Sequence, residues 1–249
     1  MATKRATRVR KREFEDDDSI IKALADRHNK FEFKFKKREF KFTDNQKKLM
    51  DIIHDPDNKI IIIEGPAGTS KTLCAVYCGL TMLKDESMKN MLYIRSVIES
   101  GSKSLGYLPG LLSDKLLVWQ KPLEDKLNEL VESKDISHIM TSNRLEVMPI
   151  NYVRGSSWRD SFVIFDEFQN TTIHEAKTLL TRIGEGSKLI LCGDADQSDL
   201  RDSGFGKVLD TFSDQDSRDN GVVVFRFTDK DIVRSDIARF VVKKFKAKE

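Results

Sequence analysis

Two short stretches of this 249-residue chain carry side chains whose types and spacing can do chemistry. The first is Gly65-Pro66-Ala67-Gly68-Thr69-Ser70-Lys71-Thr72. A Gly-rich loop that ends in Lys-Thr can hold a phosphate chain. Backbone N–H groups converge on the phosphate oxygens, Lys71 adds a point charge, and the Thr72 hydroxyl can join a Mg²⁺ shell. Gly65 and Gly68 let the backbone come close without a side chain in the way. Ser70 stands where the pattern GxxxxGK[ST] has its second glycine. If that position needs a positive φ, serine costs on the order of 1 kcal/mol there. The second stretch is Asp166-Glu167, which follows the apolar run Phe162-Val163-Ile164-Phe165. Asp166 reads as the carboxylate that holds Mg²⁺, and Glu167 as the base that orients and deprotonates an attacking water. An acidic pair after an apolar run says little alone. With a phosphate loop upstream it points to hydrolysis of a nucleotide such as ATP.

Elements must deliver these residues. Ile60 to Ile63 is β-branched and apolar on both faces, as a strand buried in a parallel sheet would be, and helix formers from Leu73 onward follow the loop. Further strands are expected at Asn90–Arg95, Leu145–Ile150, Phe162–Phe165, Lys188–Cys192 and Val222–Phe225. Helices are expected at 113–133, 172–184, 205–212 and 229–246, and a polar loop at 214–220. Strands alternating with helices predict an α/β fold with a mostly parallel sheet, in which both chemical stretches lie at the carboxyl ends of strands, side by side. Thr43 and Gln46 have the spacing of a capping box, so Gln46 either closes that cap or, one helix before the loop, reads the adenine edge. Gln197, beyond the Lys188–Cys192 strand, is either a sensor of the γ-phosphate or a turn residue. The alternation Phe31, Phe33, Phe35 predicts a strand with one apolar face, with an aromatic and basic platform for single-stranded nucleic acid as the sharper reading. Residues 1–18 read as a disordered tail, 19–42 as an extension and 43–249 as a single domain.

Composition narrows the class. The net charge of +3 is too small to demand a nucleic-acid partner, although basic residues cluster at 4–12, 34–41 and 243–248. No segment approaches the roughly 18 apolar residues of a membrane span, and the basic N-terminus lacks the apolar core of a secretory signal. The three cysteines, Cys74, Cys78 and Cys192, sit in apolar stretches and read as reduced thiols of a reducing compartment such as the cytoplasm. No His or Cys completes a metal set around Cys74 and Cys78.

The stretches FTDNQKKLMDII, IEGPAGTSKT, YIRSV…SLGYLPG, MPINYVRGSSW, FVIFDEFQNTT, LLTRIGEGSKLILCGDADQSDL and DIVRSDIARFV together resemble the PhoH-like ATPases, and within them the short forms carried by tailed phages. The resemblance covers most of residues 40–245. It implies a single RecA-like P-loop domain related to the first motor domain of helicases, with a mostly parallel sheet, helices on both faces and a helical insertion after the second strand. It implies ATP and Mg²⁺ as cofactors, hydrolysis of ATP, and for some members a role on RNA. For a phage-encoded copy the location would be the host cytoplasm. Ser70 and Phe168 depart from the family's usual glycine and alanine.

A single RecA-like domain cannot easily supply its own arginine finger. A ring such as a hexamer is therefore expected, with Arg182, Arg234 or Arg154 reaching a neighbour's γ-phosphate. Single-stranded RNA, ahead of DNA, is the expected partner, and no membrane is. The competing reading is a nucleotide-gated nucleic-acid-binding or scaffold ring with little or no turnover, favoured by Ser70. A GTPase lacks its Asn-Lys-x-Asp motif here. A small-molecule kinase would need residues 101–145 as a lid.

Overall fold

Six largely apolar runs form the strands: β1 (Ile60–Glu64), β2 (Asn90–Arg95), β3 (Leu145–Pro149), β4 (Ser161–Asp166), β5 (Lys188–Gly193) and β6 (Val222–Arg226). The computed structural model describes residues 32–36, 40–96, 112–150, 153, 157–200, 202–233, 237, 240, 241 and 244, with the backbone alone at 112–118. All the strands pair in parallel, in the order β3-β2-β4-β5-β1-β6. Every residue of β4 and β5 is buried, which is why these strands read as unbroken apolar runs. Phe33 to Glu249 forms one compact unit. The RecA-like α/β arrangement expected from the sequence is what the chain adopts.

Strand alternation sends side chains to two faces. Ile60, Ile62, Leu92, Ile94, Val163, Phe165, Leu189 and Leu191 pack with Ala176 and Leu179 of α5 (Ile173–Leu180) and with Phe205, Val208 and Leu209 of α6 (Gly204–Thr211). The alternate residues face α2 (Lys71–Lys84), where Gly79 lies directly over Phe162 and Met91. In front of α2 lies α1 (Asp44–His54), started by the capping box of Thr43 and Gln46. The insertion after β2 contains α3 (Leu112–Leu130) and α4 (Ser133–Thr141). The short α7 (Gln215–Asp219) precedes β6.

Three local expectations are corrected. The segment 33–36 is not a strand. Phe35 makes only an isolated antiparallel bridge to Val131, because the chain between α3 and α4 exposes just two free residues to pair with. Phe35, Phe40 and Phe42 pack at tilted angles against Tyr77 on α2. The helix expected over 113–133 is α3, which ends at Leu130 beside that bridge, and α4 follows it as a helix the sequence did not predict. The loop expected at 214–220 holds α7, started by the Asp214 carboxylate accepting from Ser217 N–H (2.9 Å). Near the end of the chain, residues 229–231 form a single 3₁₀ turn, residues 237, 240, 241 and 244 are helical, and Val233, Ile237, Phe240 and Val241 are exposed. No helix among the described residues is long and apolar enough to cross a membrane.

Candidate nucleotide site

The phosphate loop joins β1 to α2, and its shape follows from its residues. Gly65 has no room for a Cβ, which would fall 2.6 Å from that of Phe227. The buried Thr69 donates its hydroxyl to the carbonyl of Pro66 (3.0 Å) and braces the turn from beneath. Gly68 has φ +91° and Ser70 has φ 66°, ψ 28°. Ser70 thus takes the left-handed conformation in which a glycine would be relaxed, and the loop forms at that modest cost. Ala67, Gly68, Ser70, Lys71 and Thr72 line a cleft of about 900 Å³. Gly65, Pro66 and Thr69 support it from outside that lining.

The second half of the site comes from β4. Although β5 lies between β1 and β4, the start of α2 crosses above it, and Thr72 Oγ1 donates to Asp166 Oδ1 at 2.7 Å. The other oxygen of Asp166 accepts from Tyr93 OH at 2.5 Å. Tyr93 is fully buried, and burial together with the Asp166 carboxylate pushes its phenol well above the ordinary range, so it remains a donor. A hydroxyl and a carboxylate are hard oxygen ligands of the kind Mg²⁺ takes. Among the described residues no group of three or more His, Cys, Asp or Glu could hold a metal by itself. A cation here would therefore rest on Thr72, Asp166 and the phosphates, as Mg²⁺ does in nucleotide sites.

Glu167 follows in a strained left-handed conformation (φ 55°, ψ 42°), the kind of outlier that collects at functional sites. Both its oxygens are engaged. Gln169 Nε2 donates to Oε2 at 2.7 Å, and Arg95 Nη2 lies 3.4 Å from Oε1. Lys71 Nζ donates to the carbonyls of Gly65 (2.5 Å) and Pro66 (3.1 Å). Burial lowers its pKa, opposed by the charges of Asp194, Glu167 and Asp166. Burial raises the Asp194 carboxyl, against the pull of Lys71 and of the N–H groups of Asp196 and Ala67. Gln197 sits in the 3₁₀ turn Ala195–Gln197 and lines the cleft together with Glu167.

The structure thus brings Lys71, Thr72, Asp166, Glu167 and Gln197 together. Gln46 is not in the cleft. Its Oε1 accepts from Thr43 N–H (2.9 Å) and its Nε2 donates to the carbonyl of Thr69 (3.1 Å), so one side of its amide serves the cap and the loop. Arg182 lies beyond α5, beside the bridge of Ile183 to Trp158, at the amino-terminal edge of the sheet and away from its own cleft. Arg234 and Arg154 lie outside the described residues. Three participants escaped the sequence reading: Arg95, Gln169 and Asp194. For Arg95 the only signal was its place at the end of a buried strand; for the other two it was proximity to the Asp-Glu pair and to Gln197. Also unforeseen is the wall that α3 forms across the cleft, with Lys121, Pro122, Asp125, Lys126 and Glu129.

Comparison with known proteins agrees with this geometry. The family model described as PhoH-like protein matches residues 41–246. A PhoH-like protein of Mycobacterium tuberculosis is 35% identical over 201 residues, covering 80% of this chain and 55% of the relative. A PhoH-like protein of Synechocystis is 36% identical over 188 residues, covering 74% and 56%. Protein PhoH2 of Bacillus subtilis is 39% identical over 158 residues, covering 62% and 36%. The chain spans about half the length, or less, of these curated relatives.

Proposed function

Because the chain belongs to the PhoH-like family of P-loop NTPase domains, we propose that it hydrolyses ATP with Mg²⁺, as a ring of identical subunits in the cytoplasm, in response to single-stranded nucleic acid and to RNA before DNA. The observation that carries the hydrolytic part is the contact between Thr72 and Asp166. Residues 94 positions apart meet at 2.7 Å at the mouth of the phosphate loop, with Glu167 beside them.

The chemistry assigned to each residue follows from its position. Lys71 would exchange the carbonyls of Gly65 and Pro66 for phosphate oxygens. Thr72 and Asp166 would hold Mg²⁺, which supplies charge neutralisation across the phosphates. Tyr93, retained on one oxygen of Asp166, keeps that carboxylate turned toward the cleft. Glu167 would accept the proton of the attacking water. Gln197 would contact the γ-phosphate from the opposite side. An arginine from a neighbouring subunit would complete the charge stabilisation.

The test is steady-state phosphate release by the wild type and by Lys71→Ala, each with and without single-stranded RNA and DNA. Loss of at least a hundredfold in the variant, and stimulation of the wild type by RNA above DNA, are the expected results. Turnover lost in the variant but indifferent to nucleic acid would remove the coupling and keep the ATPase. Equal phosphate release by the two proteins would sink the hydrolytic reading in favour of a nucleotide-gated scaffold, the alternative for which strained Ser70 is the one favouring feature.

A further inference from the structure

The connection between Glu167 and the turn that carries Gln197 runs through one buried side chain. Gln169 is 2% exposed. Its Nε2 donates to Glu167 Oε2 at 2.7 Å, and its Oε1 accepts from the backbone N–H of Asp194 at 3.1 Å. The two partners fix the orientation of the amide: a carboxylate can only accept here and a peptide N–H can only donate, so a flipped amide would satisfy neither. The backbone carbonyl of Gln169 accepts from Ser198 Oγ (3.0 Å) and Ser203 Oγ (2.6 Å), which fixes the residue to the far side of the same turn. Asn170 and Asp199 extend this seam through Asp199 N–H to Asn170 Oδ1 at 3.0 Å. On its other side, the Asp194 carboxylate accepts from Asp196 N–H (3.2 Å) and lines the cleft with Lys71, while the preceding Gly193 carbonyl accepts from Gly65 N–H of the phosphate loop (3.3 Å). Glu167, Gln169, Asp194 and the phosphate loop therefore form one chain of contacts.

We propose that Gln169 is a positioning residue that ties Glu167 to the Asp194–Gln197 turn, so that contact of this turn with the γ-phosphate sets the place of the base. The proposal rests on the hydrolytic reading above. A phosphate entering the loop draws on the charge of Lys71, which the Asp194 carboxylate lining the same cleft otherwise feels. Any displacement of Asp194 moves the N–H that holds Gln169, and Gln169 moves the carboxylate of Glu167. The strained backbone of Glu167 fits such a role, since a residue held off its relaxed conformation returns toward it when its tether slackens.

Gln169→Glu separates this role from a structural one. The variant keeps an acceptor for Asp194 N–H, and so the seam, but replaces the donor to Glu167 by a second carboxylate. The expected result is a fall in kcat of tenfold or more, with the affinity for a fluorescent ATP analogue within about threefold and the melting temperature within a few degrees of the wild type. Gln169→Met, uncharged and of equal length, is the second variant and decides the matter if the buried charge prevents folding. Each is combined with Gln197→Ala in a double-mutant cycle. If the base and the sensor act through Gln169, the combined loss in kcat is smaller than the product of the single losses. Multiplicative losses, or a wild-type kcat in both Gln169 variants, would overturn the proposal. Failure of the hydrolytic reading looks different: the wild type then shows no Lys71-dependent turnover, and the positioning role falls with it.

Discussion

At the residue scale the cost of function is visible in single dihedral angles. Ser70 and Glu167 both hold left-handed backbone, as few non-glycine residues do among the described residues. Relief of strain at Ser70 by Ser70→Gly is worth about 1–2 kcal/mol, offset by about 0.4–1 kcal/mol of added freedom in the unfolded chain. A melting temperature equal to or slightly above that of the wild type is expected, with nucleotide affinity retained. Ser70→Val, β-branched at positive φ, should lose both; calorimetry and nucleotide titration read the two outcomes. Lys188 presents a different residue-scale cost. It is 4% exposed, donates to the carbonyls of Asp55 and Asn58 at 2.5 Å each, and has its pKa lowered to about 8 by burial and then by Lys59. The folded value lies below the unfolded one, so the unfolded chain binds more protons between them. The charged amine therefore weakens the fold in full below about pH 8, and this penalty is relieved as pH rises toward 10.5. Denaturant unfolding at pH 8 and pH 10 should show the wild type gaining up to about 2 kcal/mol relative to Lys188→Met.

At the scale of elements, α2 has to lie close to the sheet for Thr72 to reach Asp166 across β5. Gly79 permits this. A Cβ there would fall 2.8 Å from the Phe162 ring and 2.9 Å from the Met91 sulfur. Glycine inside a helix costs about 0.8–1.0 kcal/mol relative to alanine, and here that cost accompanies the close approach. Gly79→Val should lift α2, destabilise the protein by about 1–3 kcal/mol and weaken Mg²⁺-dependent nucleotide binding more than Mg²⁺-free binding, as titrations with and without the cation would record. The central strands were legible in the sequence because they are apolar on both faces; Ile60–Ile63 and Phe162–Phe165 admit little else. Capping boxes marked α1 and α5 equally well. What stayed hidden depends on partners distant in sequence. The pairing of Phe35 with Val131 overrode a clear period-two pattern, and the insertion of β5 between β1 and β4 leaves no trace in either strand. Gln46 could be read as a cap, but its second bond, to the carbonyl of Thr69, depends on how α1 leans on the loop. Arg95 gave only a strand-end position, and its approach to Glu167 required the pairing of β2 with β4.

At the scale of the whole molecule, the cleft has one open question of charge. Among the described residues Lys71, Arg95, Lys121 and Lys126 are the cations that line it, and Arg95 is paired with Glu167 at 3.4 Å. Arg182 lies at the opposite edge of the sheet, so it can serve a γ-phosphate only in another subunit. Closed rings join subunits through head-to-tail interfaces, which set one edge of a subunit against a different edge of the next. In such a ring Arg182→Ala should lower ATP turnover by roughly 10³–10⁵-fold while sparing nucleotide binding. Complementation then distinguishes action in trans from local damage. Lys71→Ala has a disabled loop but keeps Arg182; Arg182→Ala has an intact loop but lacks the finger. On mixing in equal amounts, random assembly leaves about a quarter of the sites with an intact loop next to an Arg182-bearing neighbour. Phosphate release should rise toward that fraction of the wild-type rate, with light scattering in Mg²⁺-ATP following ring assembly. A mixture no more active than its two components would remove Arg182 from this role, and the same pairing with Arg234→Ala and then Arg154→Ala would test the remaining candidates. A monodisperse monomer in Mg²⁺-ATP would exclude all three, because a finger from a neighbour requires a neighbour.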